Sequence, residues 1–222
     1  MYLKNASARE QFTERDLAFI VETLADTEKD ADSLMSLLVQ PEEADVIYDS
    51  EKLRKRLESG SGLTDVSIRF FLYIVLRGSL KEAGVESREV CDYLANMLGR
   101  FMEKRRWRTA PDSRQSIVDS EFDIQIVLQK ASRPRRYEIH VFGGDRNLYL
   151  TGMRAAYLRK RRNRYGAPGI SFYEQVGRNH YRQARDHPLS EGSELRKVFD
   201  HLAEDFPRLR SRLNHLTAEY FN

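Results

Sequence analysis

Residues 66–80, VSIRFFLYIVLRGSL, decide the fold. At about 100° per residue, the apolar side chains Val66, Ile68, Phe70, Phe71, Leu72, Tyr73, Ile74, Val75 and Leu76 point all around a helix, leaving no face for water. Such a helix either spans a membrane or forms the central rod of a helical domain. Spanning needs about 20 apolar residues, and Arg69, Arg77 and Lys81 interrupt this run well before that length. The stretch Val66 to Leu80 is therefore predicted to be the buried central helix of an all-α protein, with no membrane as a partner.

Helical signals continue on both sides. Thr13 can cap a helix to Ala25 striped by Leu17, Ile20, Val21 and Leu24, and Thr27 to Val39 turns Leu34, Leu37 and Leu38 inward. Pro41 starts a short turn to Tyr48, Ser50 to Ser59 buries Leu53 and Leu57, and Gly60-Ser61-Gly62 is a flexible joint into the central helix. Beyond Gly84, a helix from Glu86 to about Arg105 carries Val90, Leu94, Met97 and Phe101, with small residues on its other side. It should form an αα-hairpin with the central helix. Lys104 to Arg114, with the sole Trp107, reads as a basic loop.

The region 121–142 is ambiguous. Glu121 to Lys130 and Tyr137 to Phe142 partly alternate, yet Ser132 before Pro134 is a helix start and no hairpin turn joins them. Helices are the leading reading and a small hairpin the alternative. Gly143-Gly144-Asp145 reads as a break before a helix from about Asn147 to Arg164. Ser171-Phe172-Tyr173-Glu174 reads as a capping box, and two more helices run from Ser193 to Asp205 and from Pro207 to Phe221. The expected product is one domain, 1–222, of about ten helices, with an acidic arm, 1–59, packed on it.

Charge is unevenly spread. The chain of 222 residues has a net charge of +3, but residues 1–50 carry four Lys/Arg against twelve Asp/Glu, net −8, and residues 100–164 carry seventeen against seven, net +10. Either the basic region meets an anionic partner, or the acidic arm lies on it. The single Cys91 cannot pair within the chain, and the polar N-terminus has no signal-peptide pattern, so the expected location is cytoplasmic.

The segments LRGSLKEAGVESREVCDYLANML (76–98) and GDRNLYLTGMRAAYLRKRRNRYGAPGISFYEQVGRNHY (144–181) resemble an uncharacterised all-helical family of bacterial proteins. The resemblance implies an all-helical fold and carries no assigned activity.

Several chemistries lack their motifs. No Glu-x-x-His pair, H-E-x-x-H, G-x-S-x-G or Gly-rich phosphate loop is present, and His180 and His187 lie seven residues apart with no further ligand nearby. Neither metal nor cofactor is expected, and no catalytic residue is assigned. Three features carry alternatives. His180 is centred among Phe172, Tyr173, Val176, Gly177 and Ala184 on its helix, and is either a satisfied core histidine or part of a pocket with Tyr173 or Tyr181. Arg77 faces the aromatic side of the central helix and must reach the surface, stack on Tyr73 or Phe70, or meet a carboxylate, the functional alternative being a ligand's carboxylate or phosphate; Arg69 has Asp65 one turn earlier. The run Arg154, Arg159, Lys160, Arg161, Arg162 and Arg164 is either a solvated, dipole-matched helix end or a contact for nucleic acid or another polyanion. Arg133, Arg135, Arg136 and residues 104–108 would extend that contact, and Tyr157, Tyr165 and Trp107 would stack on bases.

The leading expectation is a non-catalytic helical protein acting through contacts with an unknown protein partner or a second copy of itself. Polyanion binding through 100–164 is the runner-up. A small-ligand or enzyme pocket around Arg77 and His180 is third.

Overall fold

The computed structural model describes residues 7–60, 66–103 and 121–221. Among them every regular element is a helix, twelve α-helices and two short 3-10 turns. They gather into two compact units, Asn5–Gly99 and Arg100–Asn222.

The first unit holds α1 (Glu14–Leu24), α2 (Glu28–Leu38), α3 (Pro41–Tyr48), α4 (Glu51–Glu58), α5 (Ile68–Glu82) and most of α6 (Arg88–Met102). Helix α5 is the predicted central helix, and every residue from Phe70 to Arg77 is buried. Phe12 sets its ring edge-on to Tyr48, Phe70 and Tyr73, with centroids 5.6, 5.1 and 5.7 Å away. Leu53 and Leu57 of α4 are fully buried. One buried carboxylate coordinates two helix starts. Asp16 Oδ2 accepts from the Thr13 N–H in the capping box of α1, and Oδ1 accepts from the Ser67 N–H before α5, each at 2.7 Å. Gly60 of the predicted joint is left-handed (φ 76°). Ser61, Gly62 and Asp65 lie outside the described residues, as does the basic stretch 104–114 with Trp107.

The second unit holds α7 (Glu121–Lys130), α8 (Arg133–Met153), α9 (Ala155–Tyr165), α10 (Ile170–Arg185), α11 (Glu194–Glu204) and α12 (Phe206–Tyr220). Residues 121–142 are therefore helical, as the leading reading holds. The predicted break at Gly143-Gly144-Asp145 is not there: α8 runs through it without interruption. The glycines are a packing notch instead. A Cβ on Gly143 would stand 2.7 Å from the His180 ring, and one on Gly144 2.6 Å from the Tyr181 ring, so α10 approaches α8 only over bare backbone. Each glycine costs its helix about 1 kcal/mol against alanine, and the close packing of α8 on α10 offsets that. The chain breaks instead at Arg154 (φ −126°, ψ 28°), dividing α8 from α9.

The capping box at Ser171 is also corrected. Helix α10 starts two residues earlier than that box requires, with Gly169 at its N-cap and no side-chain cap. Glu174 Oε2 accepts instead from Arg210 Nε at 3.0 Å, tying α10 to α12.

Candidate functional site

His180 sits over the Gly143 notch with two side-chain partners. Its Nε2 lies 2.7 Å from Glu121 Oε1, and its Nδ1 lies 3.0 Å from Nδ1 of His140 on α8. Asn147 Nδ2 donates to Glu121 Oε2 at 3.3 Å and to the Gly143 carbonyl at 2.9 Å, fixing the carboxylate from its other side. Three helices, α7, α8 and α10, are thus joined by a Glu121–His180–His140 chain whose last ring is only partly buried.

Proton bookkeeping constrains this chain. Burial alone would raise the Glu121 carboxyl, but the hydrogen bond and charge of His180, with Asn147 and Arg146, hold it below the usual carboxylate range. An ionised Glu121 takes the Nε2–H of His180. One proton then lies between the two facing Nδ1 atoms, since two would collide and none would leave two lone pairs opposed. Burial, followed by the charges of His180, His187 and Arg136, lowers His140 from 6.5 to about 4.

A histidine depressed on folding binds its proton more readily in the unfolded chain. Its contribution to stability is therefore complete above about pH 6.5 and is lost as pH falls toward about 4. With allowance for solvent screening, the loss should be about 1–2 kcal/mol. Urea midpoints at pH 7 and pH 4.5 measure it. His140→Asn keeps a donor opposite His180 Nδ1 and cannot titrate, so that variant should show a flatter pH dependence; an unchanged slope would acquit His140.

Tyr181, one residue on, enters the Gly144 notch. Its hydroxyl donates to Oδ1 of Asp145, which is fully buried, at 2.9 Å, and Arg100 Nη2 donates to Oδ2 at 3.2 Å. Tyr173, the third aromatic candidate, packs with Leu150, Leu158 and Ile170 as an apolar core residue. Both ring nitrogens of His187 are committed to backbone: Nδ1 accepts from the Leu189 N–H, and Nε2 donates to the Arg133 carbonyl.

Arg77 belongs to the first unit, and its partners are all there. Nε donates to Asp49 Oδ1 at 3.0 Å and Nη1 to the Glu86 carbonyl at 2.7 Å. Asp49 also receives Lys81 and Arg88 at 3.3 and 3.0 Å. Burial would raise that carboxyl; Arg77, Arg88 and Lys81 hold it below the ordinary range. An internal carboxylate thus neutralises Arg77, the structural alternative for this residue. Arg69 donates to Asn96 Oδ1. Cys91 is wholly buried, its thiol donates to the Tyr73 carbonyl, and burial pushes its pKa up, which favours the thiol over the thiolate.

Among the described residues no group of His, Cys, Asp and Glu is placed to hold a metal ion. In the histidine cluster Glu121 and His140 occupy opposite ring nitrogens of His180, so their donor atoms do not converge. Nor is any described helix long and apolar enough to cross a membrane.

The basic run lies on α9 and its N-cap. Arg154, Arg159, Lys160, Arg162 and Arg164 are exposed and Arg161 is half-buried. Lys160, Arg164, Tyr157, Arg161 and Arg154 fall within about 120° of helix azimuth. The guanidinium carbons of Arg154 and Arg161 lie 5.9 and 5.8 Å from the Tyr157 ring centre. Tyr157 is 44% exposed and Tyr165 75%. Arg162 leaves this face and lies against Gly169. Among the described residues no carboxylate pairs with any of the six, whereas Arg135, Arg178, Arg182, Arg185, Arg208 and Arg210 of the same unit each have one.

The residues that sequence reasoning missed are Glu121, His140, Asn147, Asp145 and Arg100. The signal for two of them was present: reading α8 through its glycines puts His140, Gly143 or Gly144, Asn147 and Thr151 on one stripe. No family model, curated protein or solved structure matches the chain, so the functional reading rests on its own residues.

Proposed function

We propose that this protein acts by binding an anionic macromolecule, with a nucleic-acid strand as the partner, through the face of α9 that carries Arg154, Lys160, Arg161 and Arg164. The observation that carries the reading is the absence, among the described residues, of any carboxylate paired with that face. A solvated helix end accounts for only part of it. Arg162 and Arg164 suit the last turn before Gly166, which has φ 62° and closes the helix. Arg154 is shared between the C-terminus of α8, whose dipole favours a cation, and the N-terminus of α9, whose dipole does not, and the first turn of α9 has no acidic residue. Lys160 and Arg161 stand before the last turn, where a helix gains little from a cation, whereas attraction to phosphates favours them. The exposed Tyr157 and Tyr165 add flat surfaces on which bases can stack. The reading narrows macromolecular contact to one chemistry, and we place it in the cytoplasm, where a lone thiol remains reduced.

The test is fluorescence anisotropy with a labelled single-stranded oligonucleotide across a salt series. Each phosphate contact adds about 0.7 to the slope of log affinity against log salt for single strands. Replacing Arg154, Lys160, Arg161 and Arg164 with Ala should flatten the slope by about two to three units, with unchanged far-ultraviolet circular dichroism. Weak, salt-insensitive binding by the parent protein would overturn the reading.

A further inference from the structure

The second unit also has an open cleft of about 440 Å³ lined by residues from the end of α8, the start of α9 and the second half of α12. Its charged and titratable lining is Arg159, Arg210 and His215, with Ser211, Asn214 and Thr217 as neutral polar groups and no carboxylate. Glu174 takes Nε of Arg210 from outside the lining, at 3.0 Å, and so aligns that guanidinium. Arg159 has no carboxylate partner among the described residues and belongs to α9, the helix that carries the proposed strand-binding face. Gly152, also in the lining, sits where α8 packs on α12: a Cβ there would stand 2.7 Å from Leu213.

We propose that this cleft binds a terminal phosphate monoester of the strand held by α9, an inference that rests on the nucleic-acid reading above. A phosphate inside a strand is a diester with one negative charge. A terminal monoester carries up to two and offers three acceptor oxygens. Glu174 balances the charge of Arg210, and the Arg159 guanidinium, the Nη groups of Arg210 that Glu174 does not take and the His215 imidazole supply donors that match that acceptor count. Asn214 donates to the Thr151 and Arg210 carbonyls, at 3.2 and 2.8 Å, and so holds α12 against α8 beside the cleft.

The experiment uses the full chain and one labelled oligonucleotide in three forms: 5′-phosphorylated, 3′-phosphorylated, and hydroxyl at both ends. One phosphorylated form should bind about fivefold to twentyfold more tightly than the hydroxyl form, the value of a strong charge-assisted contact. Arg159→Ala and His215→Ala, both at exposed side chains, should erase that preference while leaving most of the affinity for the hydroxyl form. Replacing Arg154, Lys160, Arg161 and Arg164 with Ala should weaken all three forms and preserve their ratio. Equal affinity for the three forms, with steep salt dependence intact, would overturn the cleft proposal and leave the nucleic-acid reading standing. Failure of all three to bind would overturn both.

Discussion

Asp145→Ala should lower the free energy of unfolding by about 3–5 kcal/mol, the cost of breaking a buried ion pair by removing one member. Asp145 is fully buried, the Arg100 side chain is 17% exposed, and the two meet at 3.2 Å. Truncation removes an acceptor of the Tyr181 hydroxyl and a carboxylate partner of the Arg100 guanidinium in one step. Tyr181→Phe provides the graded comparison. It removes one donor and leaves the ion pair in place, so it should cost about 1 kcal/mol. Urea unfolding of the two variants against the parent decides the matter. A loss below about 1 kcal/mol for Asp145→Ala would mean that water or rearrangement readily replaces the pair.

Gly177→Ala reverses the usual sign of a glycine-to-alanine change in a helix. On an open helix face the substitution gains about 1 kcal/mol, because alanine restricts the unfolded chain. At Gly177 the new Cβ would stand 2.6 Å from the Phe206 ring and 2.9 Å from Asn147 Cβ. Phe206 is fully buried and Asn147 is built on α8, so neither yields easily. Overpacking of that kind costs about 1–3 kcal/mol, and the net result should be destabilisation. Gly78→Ala on α5 is the control. There the nearest atoms belong to the side chain of Arg54, which is long and can swing aside. That variant should stay within about 0.5 kcal/mol of the parent. If thermal unfolding orders the two variants the other way, the α8–α10 contact is looser than its geometry implies.

The histidine chain and the glycine notch are one construction. Gly143 admits His180, His180 reaches Glu121 and His140, and Asn147 fixes Glu121 while resting against Gly177. The acid sensitivity expected for His140 and the packing penalty expected for Gly177 therefore probe the same joint between α8 and α10 by different physics. Neither probe touches the exposed face of α9. Stability and polyanion binding should accordingly separate under mutation.

The sequence by itself determined the helical class, the burial of α5, and most element starts. These properties depend on near neighbours: the apolar run from Phe70 to Leu76, the Thr13 capping box, Pro41, Ser193 and Pro207 act within a turn or two of their own positions. The placement of six cations on α9 was legible for the same reason. Only the tertiary structure decided what distant residues do to one another. Gly143 and Gly144 read locally as a break, because glycine's helix penalty is local and its reward, a close approach by α10, comes from about forty residues away. Glu174 read as a capping residue until Arg210 competed for it. His180 gave no sign of Glu121 or His140, and Arg77 none of Asp49, because a buried ionisable group needs its partner at hydrogen-bond distance in space, at no set separation in the chain.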